Sequence, residues 1–239
     1  MNKLPFLMKT ETNMEKYRVE TFWTKEPETI AWIDGFDNGD ILFDIGANIG
    51  IYSLYCASKH PESRIFAFEP SLNNWKRLVE NIRMNKYYNI FPIWGALSNE
   101  CGVSGFYEEN QEIGASGGQL SAIVEQSVFT VTLDKLIITN ILNINKPYNI
   151  KIDIDGQEFK VIEGMLYTIE KKECKSILIE LDEERTDIPL VLEIFKQKGF
   201  TIDNEFNYME NHSSIRRAKE GIGCRNVIFT RGDNARYIS

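Results

Sequence analysis

The chain has 239 residues, with 27 Lys+Arg against 35 Asp+Glu and a formal net charge of −8. One hydrophobic core can serve a chain of this length, and the 43% hydrophobic and 26% charged fractions exclude a disordered tail or a fibrous repeat. The acidic balance argues against a nucleic-acid partner, because phosphate binding rests on Lys and Arg and on counterion release.

The longest uncharged stretch, Ile45 to Ser58, is fourteen residues, short of the roughly 18 a spanning helix needs. At the start, only Leu4 to Met8 lie between charges, so no signal-peptide core is expected. Cys56, Cys101, Cys174 and Cys224 stand far apart, and only two histidines occur. That spacing suggests neither a metal site nor a disulfide framework, and a reducing cytoplasm is the expected compartment.

In chain order, residues 1–39 are polar with scattered aromatics and read as a helical cap over the core. Within them KEPETIAWIDGF predicts a helix, with Pro27 in the first turn and Glu26 and Glu28 at the positive end of its dipole, stopped by Asn38-Gly39. From residue 40 to 239 short apolar runs alternate with amphipathic stretches. The runs are 41–46, 64–70, 89–95, 149–156 and 176–181. IYSLYCASKH, SLNNWKRLVENIRMNK (with Ser71 as N-cap) and EFKVIEGMLYTIEKK are the helices between them. The alternation predicts βαβ units: an α/β fold with a doubly wound, mostly parallel sheet. NVIFT (226–230) reads as an edge strand. Residues 98–130, with five glycines and a β-rich end, read as an inserted hairpin or loop that shapes a pocket.

Four of the five runs carry a carboxylate near their end: Asp44, Glu69, Asp153 and Glu180. Strands buried on both faces avoid ionised groups unless these are paired or functional. The carboxyl ends of parallel strands converge on one ligand crevice, so four acids distant in sequence are expected to meet there. The plainer alternative is that each acid caps the helix that follows.

The first strand turns into its helix through DIGANIG, with Gly46 and Gly50 freeing the backbone at a helix N-terminus. Glu69 follows at the end of the next strand, where a carboxylate reaches ribose hydroxyls, so an adenosine ligand is implied. The dinucleotide fingerprint needs glycine where Asn48 stands. The glycine replaced is the one that admits a pyrophosphate, which favours S-adenosylmethionine over NAD. In IKIDIDGQE, Lys151, Asp153 and Asp155 share one face if the strand persists that far. That places Asp153 at the reaction centre, Asp155 as a second acid and Lys151 as their counter-ion. The alternative ends the strand at Ile152 and leaves both aspartates in a turn.

FDIGANIGIYSLY, FAFEPSLNNWKRLVENI, GALSN, VTLDKL, IKIDIDGQEFKVIEGM and SILIEL together resemble, in order and spacing, the FkbM-type S-adenosylmethionine-dependent methyltransferases, over roughly residues 26 to 204. Asp155 stands where that family commonly has glutamate. The resemblance implies a seven-stranded, Rossmann-like class I methyltransferase fold and methyl transfer to a hydroxyl of a glycan or secondary metabolite. By position it implies that Asp44, Gly46, Asn48 and Gly50 hold the methionyl end and Glu69 the ribose. Ala96 and Leu97 would then lie along the adenine with Ser71 nearby, and Asp153 would face the transfer region.

As general base the first candidate is Asp153, with Asp155 and Glu180 as alternates. His212, in a polar loop, is a further candidate or simply solvated. His60, at a helix end, reads as serving the dipole. Arg216 and Arg217 read either as a grip for an anionic sugar or as an exposed pair. No metal is expected. The competing readings are a nicotinamide-dependent oxidoreductase, a nucleic-acid methyltransferase (which lacks its D/N-P-P-Y/F motif here) and a non-catalytic adenosine-binding module.

Overall fold

A computed structural model describes residues 3–121, 126–182, 187–221 and 223–232. Helices α1 (Asn13–Lys25) and α2 (Pro27–Asp34) come first. The alternating core follows as β1 (Ile41–Ile45), α3 (Ile51–Lys59), β2 (Arg64–Glu69), α4 (Leu72–Asn85) and β3 (Ile90–Trp94). A second sheet is then built from β4 (Ala96–Leu97), β5 (Gly102–Glu108), β6 (Gly118–Ser121) and β7 (Gln126–Val131). After α5 (Leu133–Ile138) the main sheet resumes with β8 (Tyr148–Ile152), the short helices α6 (Glu158–Glu163) and α7 (Leu166–Glu170), and β9 (Cys174–Asp182). The last elements are α8 (Ile188–Gln197), β10 (Phe200–Ile202), α9 (Asn204–Asn207), α10 (Ser213–Lys219) and β11 (Cys224–Arg231).

The main sheet has seven strands in the order β10-β11-β9-β8-β1-β2-β3. Pairings among β9, β8, β1, β2 and β3 are parallel, and β11 runs antiparallel to both its neighbours. This is the doubly wound, mostly parallel arrangement expected. Alternation along the strands sends side chains to two cores. Ile41, Phe43, Ile150, Ile152, Ile177 and Ile179 pack with Val161, Ile169 and Phe195 on one face. Leu42, Ile65, Ala67 and Leu178 pack with Phe22, Trp32, Leu54 and Leu78 on the other. Helices α1 and α2 therefore contribute directly to the second core.

Helix α1 carries a capping box at Thr12 and Glu15. Its buried Glu15 pairs with Arg77 of α4, which also holds Glu11 at 2.7 Å and Glu80 at 3.0 Å. Pro27 opens α2 as expected, but the helix stops at Asp34 with Gly35 as its cap, ahead of Asn38-Gly39.

Three further expectations need correction. NVIFT belongs to β11, an interior strand, and β10 takes the edge beside it. EFKVIEGMLYTIEKK is two short helices broken at Gly164, where a Cβ would lie 2.0 Å from the Ser98 carbonyl oxygen. Strand β8 ends at Ile152, so Asp153 and Asp155 occupy a turn. The glycine-rich 98–130 region is a small sheet: β5 pairs antiparallel with β6 and β7, and β4 joins β7 in parallel.

Candidate active site

The carboxyl ends of β1, β2, β8 and β9 open onto one cavity of about 420 Å³, a size typical of small-molecule sites. Gly46, Asn48, Glu69, Ser71, Asp153, Asp155 and Glu180 all line it. Acids from three strand ends thus meet as the topology requires. Asp44 lies beneath the cavity floor and is buried.

Gly46 has φ +81°, and a Cβ there would lie 1.9 Å from the Asp153 carbonyl oxygen. Its missing side chain lets the turn after β8 close against the turn after β1. Asn48 also takes a left-handed conformation, with φ 52°, one that asparagine tolerates. Gly50 answers to packing: a Cβ would sit 2.3 Å from a Leu78 methyl of α4. Gly50 does not line the cavity.

Both oxygens of Glu69 accept backbone N–H groups, from Asn48 at 2.7 Å and from Ser71 at 2.8 Å. Burial pushes its carboxyl up to about 7 despite those two donors. Ser71 also caps α4, its side chain accepting from the Asn74 N–H at 3.3 Å.

Lys151 is buried on β8 and is bracketed by two acids. Its Nζ lies 2.6 Å from Asp153 Oδ2 and 3.9 Å from Asp44 Oδ1, over the Tyr52 ring at 5.1 Å. Burial would lower the ammonium, but Asp153, Asp44 and Glu26 outweigh it and hold Lys151 charged. Asp44 Oδ2 accepts from Ser53 Oγ at 2.6 Å, while Oδ1 has no hydrogen-bond partner among the described residues. Burial raises Asp44 above the usual carboxylate range.

Glu180 is tied to α10. Arg217 Nη1 lies 2.5 Å from Glu180 Oε1, and Nη2 lies 3.2 Å from Glu26 Oε1. Lys25 and Tyr52 complete the shell of Glu26, at 2.8 and 2.7 Å. Burial would raise Glu26, yet Lys25, Lys151 and Arg217 together hold it well below the usual range. Burial and the Asp153 charge push Glu180 up to about 7 against the pull of Arg217. The two neighbouring arginines therefore differ: Arg217 is buried, whereas Arg216 pairs with Glu220 at the cavity rim.

Both histidines sit outside the cavity wall. His212, read above as a base or a solvated side chain, is buried and caps α10, its Nδ1 accepting from the Ser214 N–H at 3.1 Å. Burial lowers its pKa. His60 ends α3 but turns its Nε2 to the Ile33 carbonyl oxygen, 2.8 Å away. Ala96 and Leu97 are buried in β4, behind the wall; Ala96 packs with Phe106, which lines it.

Sequence reasoning missed Arg18, Lys25, Tyr52, Asn74, Phe106 and Glu108, which also line the cavity. The Thr12–Glu15 capping box was a readable signal for α1 and hence for Arg18 and Lys25. Phe106 and Glu108 carried none, since they enter through the second sheet. Among the described residues no cluster of His, Cys, Asp or Glu suits a metal ion, and no helix is long and apolar enough to cross a membrane.

A family model for the methyltransferase FkbM domain matches residues 44–202. The hexuronic acid methyltransferase AglP of Haloferax volcanii is 27% identical over 157 residues, which is 65% of this chain and 62% of that protein. The 31-O-demethyl-FK506 methyltransferase FkbM of Streptomyces tacrolimicus is 22% identical over 193 residues, 69% of this chain and 74% of that one. A solved structure from Clostridium thermocellum, of a candidate rRNA-methylase, shares the fold with a TM-score of 0.50 at 12% identity, covering 85% of this chain and 93% of that one. With its strand order, its cavity and the family match in agreement, the chain belongs to the FkbM family of S-adenosylmethionine-dependent methyltransferases.

Proposed function

We propose that this protein methylates a hydroxyl oxygen on a glycan or secondary metabolite. The observation that carries this reading is the meeting of Glu69, Asp153 and Glu180 around one cavity beside the Gly46–Asn48 turn. The Haloferax relative's hexuronic acid substrate and the Streptomyces relative's 31-O position support a hydroxyl acceptor on a glycan or metabolite.

The residues suit the cofactor. Glu69 keeps its carboxylate facing the cavity with lone pairs left to accept ribose hydroxyls. Gly46 and Asn48 form the turn that would hold the methionyl end. Phe106 and Ala115 supply an apolar wall on the adenosine side. When bound, S-adenosylmethionine supplies an electrophilic methyl carbon on a sulfonium, and alignment within the cavity accounts for much of the rate.

Asp153 is the general base in this reading. Its side chain is 32% exposed to the cavity and is fixed by Lys151. It accepts the acceptor hydroxyl's proton through the oxygen that Lys151 does not hold, a contribution of about 10²–10⁴-fold. Glu180 is committed to Arg217 and Asp155 to a backbone N–H, which ranks both below Asp153. Lys25, Tyr52 and Arg216 also line the cavity and are the side chains offered to the acceptor in this reading.

Two titrations test the reading. Calorimetry should register heat with S-adenosylmethionine and none with NAD. Asp153→Asn should keep that heat while turnover falls by about 10²–10⁴-fold; full turnover in the variant removes Asp153 from the chemistry.

A further inference from the structure

Residues 112–117 lie between β5 and β6, outside any strand, and Ala115 and Ser116 line the cavity. Four of the six residues are Gly114, Ala115, Ser116, Gly117 and their flank Gly118 continues the run of small side chains. The segment is held through its backbone, by side chains from four separate elements. Thr12 Oγ1 donates to the Ile113 carbonyl at 2.7 Å, and Arg18 Nε donates to the Gly114 carbonyl at 2.5 Å. Asn74 Oδ1 accepts from the Gly114 N–H at 2.8 Å. The Ala115 carbonyl accepts from Asn48 Nδ2 at 2.7 Å and from Asn74 Nδ2 at 3.3 Å. Asp155 Oδ2 accepts from the Gly117 N–H at 2.6 Å. One anchor runs outward: Glu112 Oε1 accepts from the N–H groups of Asn13 and Met14 at the start of α1.

Arg18, Asn48, Asn74 and Asp155 also line the cavity, as do Ala115 and Ser116. A ligand in the cofactor end therefore meets the same side chains that hold the segment. Small residues without strand pairing make a segment that opens at low cost once its anchors are released.

We propose that residues 112–117 are a strap over the cofactor end of the cavity and that Asp155 is its latch, a positioning residue that acts through the Gly117 N–H. This rests on the cofactor reading above for what the strap retains, though not for the latch itself. Asp155 needs only an acceptor oxygen for the role, so its charge is dispensable. Glu112 belongs to the same device from the far side, with no part in the cavity wall.

Hydrogen exchange of the 112–117 amides, measured without nucleotide, tests the latch. Asp155→Ala, which loses the bond to Gly117, and Glu112→Ala, which loses the bonds to Asn13 and Met14, should each raise exchange there about tenfold. Asp155→Asn, which keeps an acceptor, should stay near the parent. S-adenosylhomocysteine should bind about tenfold more weakly to both alanine variants, and Asp155→Ala should raise KM for S-adenosylmethionine more than it lowers kcat. Unchanged exchange in both alanine variants overturns the proposal. So does an Asp155→Asn variant that loses turnover with normal exchange, since that assigns Asp155 to the chemistry. If Asp155→Ala does not fold, Glu112→Ala carries the same comparison. A parent protein that binds no S-adenosylhomocysteine would defeat the cofactor reading alone, and the exchange result would still decide the latch.

Discussion

Lys151 and Asp153 face each other across the end of β8, Nζ to Oδ2 2.6 Å, with the lysine buried and the aspartate open to the cavity. A buried ammonium is tolerated here because two acids answer it. Removing Asp153 leaves Lys151 with Asp44, 3.9 Å away, and the more distant charge of Glu26. Asp153→Ala should therefore destabilise the fold by up to about 3 kcal/mol, discounted for the partial exposure of the aspartate. Asp153→Asn retains an acceptor and should cost less. Urea unfolding of both variants checks the order, and equal midpoints would remove the pair from the stability of the fold.

Arg217 makes the sharper stability prediction. Arg217→Met leaves Glu180 and Glu26 without their shared cation in a buried setting, a loss of about 3–5 kcal/mol. Arg216→Ala breaks only a rim pair with Glu220 and should cost no more than about 0.5 kcal/mol. Thermal unfolding distinguishes them. Equal losses would contradict the assignment of the two arginines to different tasks.

Gly46 and Gly164 fail by different routes. Gly46→Ala combines a positive φ with a clash on the Asp153 carbonyl. It should reduce S-adenosylmethionine binding at least about tenfold, through displacement of the turn beside the site. Gly164 has an ordinary φ of −78°, so Gly164→Ala suffers only from its approach to Ser98 and should lower Tm while sparing cofactor affinity. Calorimetry and melting on both variants read out the difference.

Glu69 sets a pH dependence. Its folded pKa of about 7 exceeds its ordinary value of 4.5, so the folded state binds the extra proton between those values. Its contribution to stability is present at low pH and is lost as pH rises from about 4.5 through 7. Glu69→Gln should flatten that part of the Tm–pH profile. Ribose hydroxyls donate to the ionised carboxylate, so cofactor affinity should rise with pH up to about 7, with proton release on binding. Titrations in buffers of different ionisation heat measure this. A pH-independent affinity would count against the ribose assignment.

The parallel core was readable because each strand–helix step carries its own periodicity. The positions of Asp153 and Glu180 followed from strand ends. Three things were not. The placement of β11 depends on β10, a three-residue strand with no pattern of its own. The start of helix α1 was marked by its capping box, but its docking was not, because it rests on Glu15–Arg77 and on Phe22 in the core, contacts that exist only once α4 is in place. The roles of Asp155 and His212 were hidden because each is defined by a backbone group on another part of the chain: Gly117 for the first and the start of α10 for the second.

Strand β11 lies between β9 and β10 and supplies the partner for each. During synthesis, β9 must wait with one flank bare, and β10 with no neighbour, until residues 224–231 clear the ribosome. Nascent chains stalled just short of that point would expose two open ladders, so chaperone capture and mispairing should concentrate in that narrow interval of translation.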